Sequence, residues 1–136
     1  MTRKNDMKCT ELRIGNLVMY NGEVVKVKHI TKHKIGYHTI PDETIMNYAR
    51  LCEIEPILVT EELLKKNGFG IDQNITEYEL LSCDERRITA YEVKHGWHFH
   101  IDDEEYCTCF SNTLKYIHDL QNAYQLVTKQ ELTLQL

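Results

Sequence analysis

The chain has 136 residues, 42% of them hydrophobic and 27% charged, with a net charge of −5, which excludes whole-chain disorder and suffices for one compact domain or a small domain fused to a short module. No run approaches the roughly 20 apolar residues that span a bilayer. Residues 1–8, with Arg3, Lys4, Asn5, Asp6 and Lys8, are too polar for a secretory signal, and five cysteines at irregular spacing (9, 52, 83, 107, 109) point to free thiols in a reducing cytoplasm.

Residues 1–10 are expected to be a flexible lead-in. From Glu11 to Ile40 the pattern is a β-meander. Leu12, Ile14 and Leu17 to Tyr20 build a first strand, with a bend at Gly15-Asn16. Asn21-Gly22 is the dipeptide suited to a two-residue type I′ turn, since both central residues need positive φ. In the return strand Val25, Val27 and His29 share one side, and Val24, Lys26, Lys28 and Ile30 the other. Ile35 to Ile40 forms a third strand, giving a small twisted sheet of SH3-like character over 11–55.

Pro41-Asp42 opens a new segment, because proline cannot continue a central strand and Asp caps helices. Ile45, Met46, Tyr48, Ala49 and Leu51 then suit either a short helix or an irregular connection with a strand at 51–54. A helix from Glu61 to Asn67 is strongly marked. Thr60 caps it, Glu61 and Glu62 favour its N-terminus, Lys65 and Lys66 its C-terminus, and Gly68 supplies the left-handed residue after it. Strands follow at 76–83 and 87–95, joined at Asp84-Glu85, and then a hairpin from Trp97 to Phe110. Leu114, Ile117, Leu120, Ala123, Tyr124 and Val127 recur at helical spacing. The fold class implied is α+β: the meander, the short capped helix, and a C-terminal antiparallel sheet over 56–136 packed against one amphipathic helix. Leu132, Leu134 and Leu136 suggest a final strand returning to a sheet edge or to another subunit.

Two constellations carry chemistry. In the hairpin, Trp97, Phe99 and Ile101 alternate with His98 and His100, and Tyr106 and Phe110 with Cys107 and Cys109. A turn at Asp102 to Glu105 sets Ile101 opposite Tyr106, His100 opposite Cys107 and His98 opposite Cys109. The pattern then offers His98, His100, Cys107 and Cys109 as ligands for a zinc ion, although H-x-H and C-x-C lack the two-residue gaps of zinc knuckles and ribbons. No other cofactor or catalytic residue is indicated, and a half-buried structural surface is the alternative.

The second constellation is basic. Residues 1–38 hold eight Lys/Arg against three acids, and residues 39–136 eight against eighteen. Lys26, Lys28, Lys32 and Lys34 lie among His29, His33, Tyr37 and His38, a pattern compatible with phosphate contact and base stacking, or with a solvated strand face whose lysines discourage edge pairing. Helix residues His118, Gln121 and Asn122 suit structural hydrogen bonds.

Three segments, ELRIGNLVMYNGEVVKVKHI (11–30), PILVTEELLKKNGF (56–69) and LKYIHDLQNAYQLVTKQELTL (114–134), together resemble a family of short uncharacterised proteins from Bacteroides-type bacteria and their phages and mobile elements. Similar sequences tend to have glycine where this chain has Lys129. The resemblance implies no activity or cofactor. The expected role is therefore a non-catalytic binding or accessory protein, acting through a protein partner or self-association, with nucleic acid as the alternative partner, zinc binding as a third reading, and no membrane association.

Overall fold

In a computed structural model of the chain, residues 7–40, 43–71, 80–83, 85–102, 107–109 and 113–136 are described, with 71, 80, 102 and 107–109 by backbone alone. They form an α+β protein with two antiparallel sheets and one main helix. The chain divides into two units, Met1–Ile57 with Tyr116–Asn122, and Leu58–Lys115 with Ala123–Leu136.

The first unit opens with a 3₁₀ turn at Cys9–Glu11 and contains strands β1 (Leu17–Tyr20), β2 (Glu23–Ile30), β3 (Lys34–Thr39), β4 (Asn47–Arg50) and β5 (Ile54–Glu55). Their order is β4-β3-β2-β1-β5. Asn21 and Gly22 take φ of 52° and 82°, so the tight turn forms and sets Tyr20 opposite Glu23. Val18, Val25, Val27, Ile35, Tyr37, Ala49, Leu51 and Ile54 fill the core, joined by Leu12. Each fully buried aliphatic side chain contributes roughly 1.5–3 kcal/mol.

Three expectations change here. Ile14 is exposed, because Gly15 turns the chain with φ 100° before β1 begins. The β2–β3 register shifts between Val27 and His29, a bulge that turns His29 outward instead of leaving it beside Val25 and Val27. Residues 47–50 are strand, not helix, and a 3₁₀ turn at Leu51–Glu53 leads into β5. Ala49 and Leu51 are buried while Tyr48 and Arg50 are exposed, a period of two that a helix does not satisfy.

The second unit holds α1 (Glu61–Lys66), β6 (Gly70–Ile71), β7 (Leu80–Cys83), β8 (Ile88–Val93), β9 (Gly96–Asp102) and β10 (Cys107–Cys109), with strand order β10-β9-β8-β7-β6. The strand expected at 76–83 lies partly outside the described residues, as do Tyr106 and Phe110. Helix α1 is built as its sequence prescribes. Thr60 Oγ1 accepts from Leu63 N–H at 3.1 Å, and Gly68 has φ 92°. Gly68 N–H then donates to Lys65 O at 3.2 Å and Phe69 N–H to Leu64 O at 3.1 Å, the paired bonds of a Schellman cap.

Helix α2 (Ile117–Thr128) starts after the expected Leu114. Leu114 is held as strand instead: its N–H donates to Trp97 O and its carbonyl accepts Trp97 N–H, both at 2.9 Å. Beyond α2 the tail is no sheet strand. Leu132 and Leu134 are buried, and Gln135 exchanges two bonds of 2.7 Å with the Asn67 side-chain amide, which serves as a one-residue mimic of a strand. Lys129 keeps the left-handed conformation, φ 61°, with its N–H on Gln125 O at 2.9 Å. A side chain in that region costs roughly 1–2 kcal/mol. Lys129→Gly is therefore expected to raise stability by up to about 1 kcal/mol, measured as the urea midpoint; a lower midpoint would show that the Lys129 Nζ bond to Leu126 O matters more.

Within the first unit, the start of α2 clasps the entry to β1. Gln121 Oε1 accepts Leu17 N–H at 2.9 Å while its Nε2 donates to Gly15 O at 3.4 Å. Asn122 accepts from Asn16 Nδ2 at 2.8 Å and donates to Glu11 O at 2.9 Å. Asn16 Oδ1 takes Arg13 N–H at 2.8 Å. These amides have the structural role expected of them.

Candidate functional site

The open region of the first sheet is the outer face of β2, β3 and β4. Ile35 and Tyr37 point inward, so Lys34, Gly36 and His38 alternate outward. Register sets His29 and Tyr48 on either side of Gly36, Arg50 opposite Lys34, and His38 opposite Lys26. A Cβ at Gly36 would lie 2.8 Å from Met46 Sδ, 3.0 Å from His29 Cβ and 3.1 Å from Tyr48 Cε1. The glycine thus lets three side chains close over the middle strand. Tyr48 remains 57% exposed, and Ile40, Ile45 and Met46 are exposed beside it in sequence.

The four lysines do not act as one free cluster. Lys26 Nζ pairs with Glu43 Oε1 at 3.4 Å, and Lys34 Nζ lies 5.3 Å above the Tyr48 ring centre. Lys28 is the extra residue of the bulge, and Lys32 is exposed in the turn before β3. Arg50, not anticipated from the sequence, joins the face and bonds Glu53 at 3.3 Å. Its signal was the alternation of Tyr48 and Arg50 with Ala49 and Leu51, obscured because the same residues suit a short helix.

The hairpin register differs from the one expected. Cys107 stands opposite Asp102, Thr108 opposite Ile101 and Cys109 opposite His100. The displacement is two residues, so the alternation of faces survives, and one His/Cys pair, His100 with Cys109, stands opposed in place of the two expected. His98 is engaged elsewhere. Its Nδ1 lies 2.9 Å from Tyr91 Oη and its Nε2 3.3 Å from Thr113 Oγ1, with the Tyr91 ring edge-on at 5.2 Å. His100 is half-buried opposite Thr89. The side chains of Cys107 and Cys109 lie outside the described residues. Among the described residues, no three His, Cys, Asp or Glu side chains are grouped to hold a metal ion.

His118 is 1% exposed, stacked on Tyr116 at 5.8 Å, with Nε2 3.5 Å from Asp119 Oδ1 and a buried Nδ1 that has no partner among the described residues. Burial pushes its imidazole below the usual histidine value, against the opposing pull of the Asp119 and Glu11 carboxylates. A base whose folded pKa lies below its unfolded value of about 6.5 favours the fold above that pH and weakens it as pH falls. Between pH 7.5 and pH 5.5 the parent is expected to lose more stability than a His118→Gln variant, by urea denaturation. Equal losses would assign the acid sensitivity to other groups.

Comparison of the chain with protein-family models, with curated proteins and with solved structures finds no match.

Proposed function

We propose that this chain is a non-catalytic binding module that docks another protein on the outer face of β2–β4. The observation that carries the reading is where apolar surface is left uncovered. Among the described residues seven large hydrophobics are exposed, and four of them, Ile40, Ile45, Met46 and Tyr48, fall in the β3–β4 connection and the edge strand. Concentrated apolar exposure is characteristic of interaction sites. We read the first sheet as a small SH3-like barrel, supported by β5 returning to pair with β1 and by the 3₁₀ turn before it. A cytoplasmic accessory role in phage or mobile-element biology is proposed from the sequence resemblance. No described helix is long and apolar enough to cross a membrane.

Nucleic acid is the second reading, favoured by Lys34 and His29 beside the exposed Tyr48 ring. The ion pairs at Lys26 and Arg50 and the net charge of −5 weigh against it. Self-association through the tail loses its support, because Leu132 and Leu134 are buried within the chain itself.

A photo-crosslinking residue placed at position 48, with position 126 as control, tests the reading in cells expressing the chain. Protein adducts at position 48 that are absent at 126 are expected; equal labelling at both removes the proposed face. Salt-sensitive retention of DNA or RNA, lost when Lys26, Lys28, Lys32 and Lys34 become glutamate, would instead establish the nucleic-acid reading.

A further inference from the structure

Resting on that reading, we infer that the partner contributes an acidic, extended polypeptide segment, with an apolar or aromatic side chain seated on Tyr48 and Met46 and neighbouring carboxylates on Lys34 and Lys32. Charge selects the partner's sign. Lys26 and Arg50 are paired with Glu43 and Glu53, which leaves Lys28, Lys32 and Lys34 as the positive charges of the face, in a chain whose net charge is −5. A positive patch attracts acidic segments and repels basic ones, so it selects a partner that presents carboxylates. Geometry brings the two kinds of contact together. Lys34 Nζ sits 5.3 Å over the Tyr48 ring, so a carboxylate that reaches the ammonium lies beside the aromatic surface rather than apart from it.

The backbone argues for contact through side chains instead of a long added strand. Strand β4 is the sheet edge and has four residues. Leu51 N–H bonds His33 O, so antiparallel alternation turns Tyr48 and Arg50 backbone groups toward the open edge. Arg50 N–H is already taken by Glu53 Oε1 at 3.2 Å. Tyr48 remains to pair with an incoming backbone, and an added strand would be stopped one step later.

The same geometry disfavours a polynucleotide. Lys26 and Arg50 are neutralised by Glu43 and Glu53, leaving Lys28, Lys32 and Lys34, which match a few carboxylates better than a phosphate at every nucleotide.

The test is fluorescence anisotropy of the full chain with three labelled probes: a random glutamate–tyrosine copolymer, polyglutamate, and oligo(dT). The copolymer is expected to bind most tightly, with affinity falling as salt rises. Tyr48→Ser and Lys34→Glu should each weaken it about tenfold, which is about 1.4 kcal/mol. Both side chains are exposed, so unchanged far-UV circular dichroism and melting should accompany the loss. Leu126→Ser, exposed in the second unit, should bind as the parent does. Tighter binding of oligo(dT), equal copolymer binding by all variants, or a concentration-dependent dimer abolished by Tyr48→Ser would each overturn the inference. Crosslinking at position 48 without copolymer binding removes the acidic partner alone; absence of both removes the docking face as well.

Discussion

Replacing Trp97 with alanine is expected to lower stability by about 3–5 kcal/mol, the range of large aromatic truncations in packed cores. Trp97 begins the inward row of β9, with Phe99 and Ile101, and is 4% exposed. Its ring lies 6.4 Å from that of Phe99, inclined by 27°. Its indole Nε1 donates to Val59 O at 3.1 Å, just ahead of the Thr60 cap, and its backbone pairs with Leu114. Truncation thus opens a cavity and removes the donor that satisfies a carbonyl near the start of α1. Trp97→Phe separates the two effects, since it keeps much of the apolar area but orphans Val59 O, a loss of about 1–3 kcal/mol. Trp97 is the single tryptophan of the sequence, so the urea midpoint must be followed by circular dichroism and not by its fluorescence. An alanine variant that melts like the parent would mean that this side chain does not anchor the second unit.

What the sequence made legible is what short-range chemistry decides. Asn21-Gly22 fixes a turn whatever surrounds it, and Thr60 through Phe69 holds its caps within one short segment. The apolar alternation of Trp97, Phe99 and Ile101 marks the face that becomes buried. Elsewhere the deciding partner is distant in sequence. Leu114 fits the helical repeat, yet backbone pairing with Trp97 withholds it from α2. The hairpin register depended on which residues close the loop, and a shift of two preserves every face while changing each opposed pair. His98, read as a possible ligand, is bonded to Tyr91 across the sheet and to Thr113. At the candidate site the lysines were visible as a basic run, but Tyr48, Met46 and Arg50 were not. Their relation to Lys34 and His29 exists only once β3 and β4 pair across Gly36.

Replacing Gln121 with leucine is the second large expected loss, about 2–3 kcal/mol from two buried bonds. The leucine fills similar volume, so the expected effect is polar rather than a cavity. Gln121 is 5% exposed and reaches both Leu17 N–H and Gly15 O. Gly15 N–H and Asn16 O are already used by Val27, at 2.8 and 2.9 Å, and Asn16 N–H by Arg13 O at 3.1 Å, so Gly15 O and Leu17 N–H are left to be met from α2. Removing the amide leaves Leu17 N–H without that acceptor in a protein interior, where an unmade bond costs more than a made bond contributes. Asn122→Ala is expected to cost less, because its bond to Glu11 O is exposed. The two residues adjoin and clasp one segment, so their effects should be non-additive in a double-mutant cycle. Urea denaturation of the two single variants and the double variant measures this coupling. If Gln121→Leu is neutral and the cycle additive, the clasp is not what holds the entry to β1.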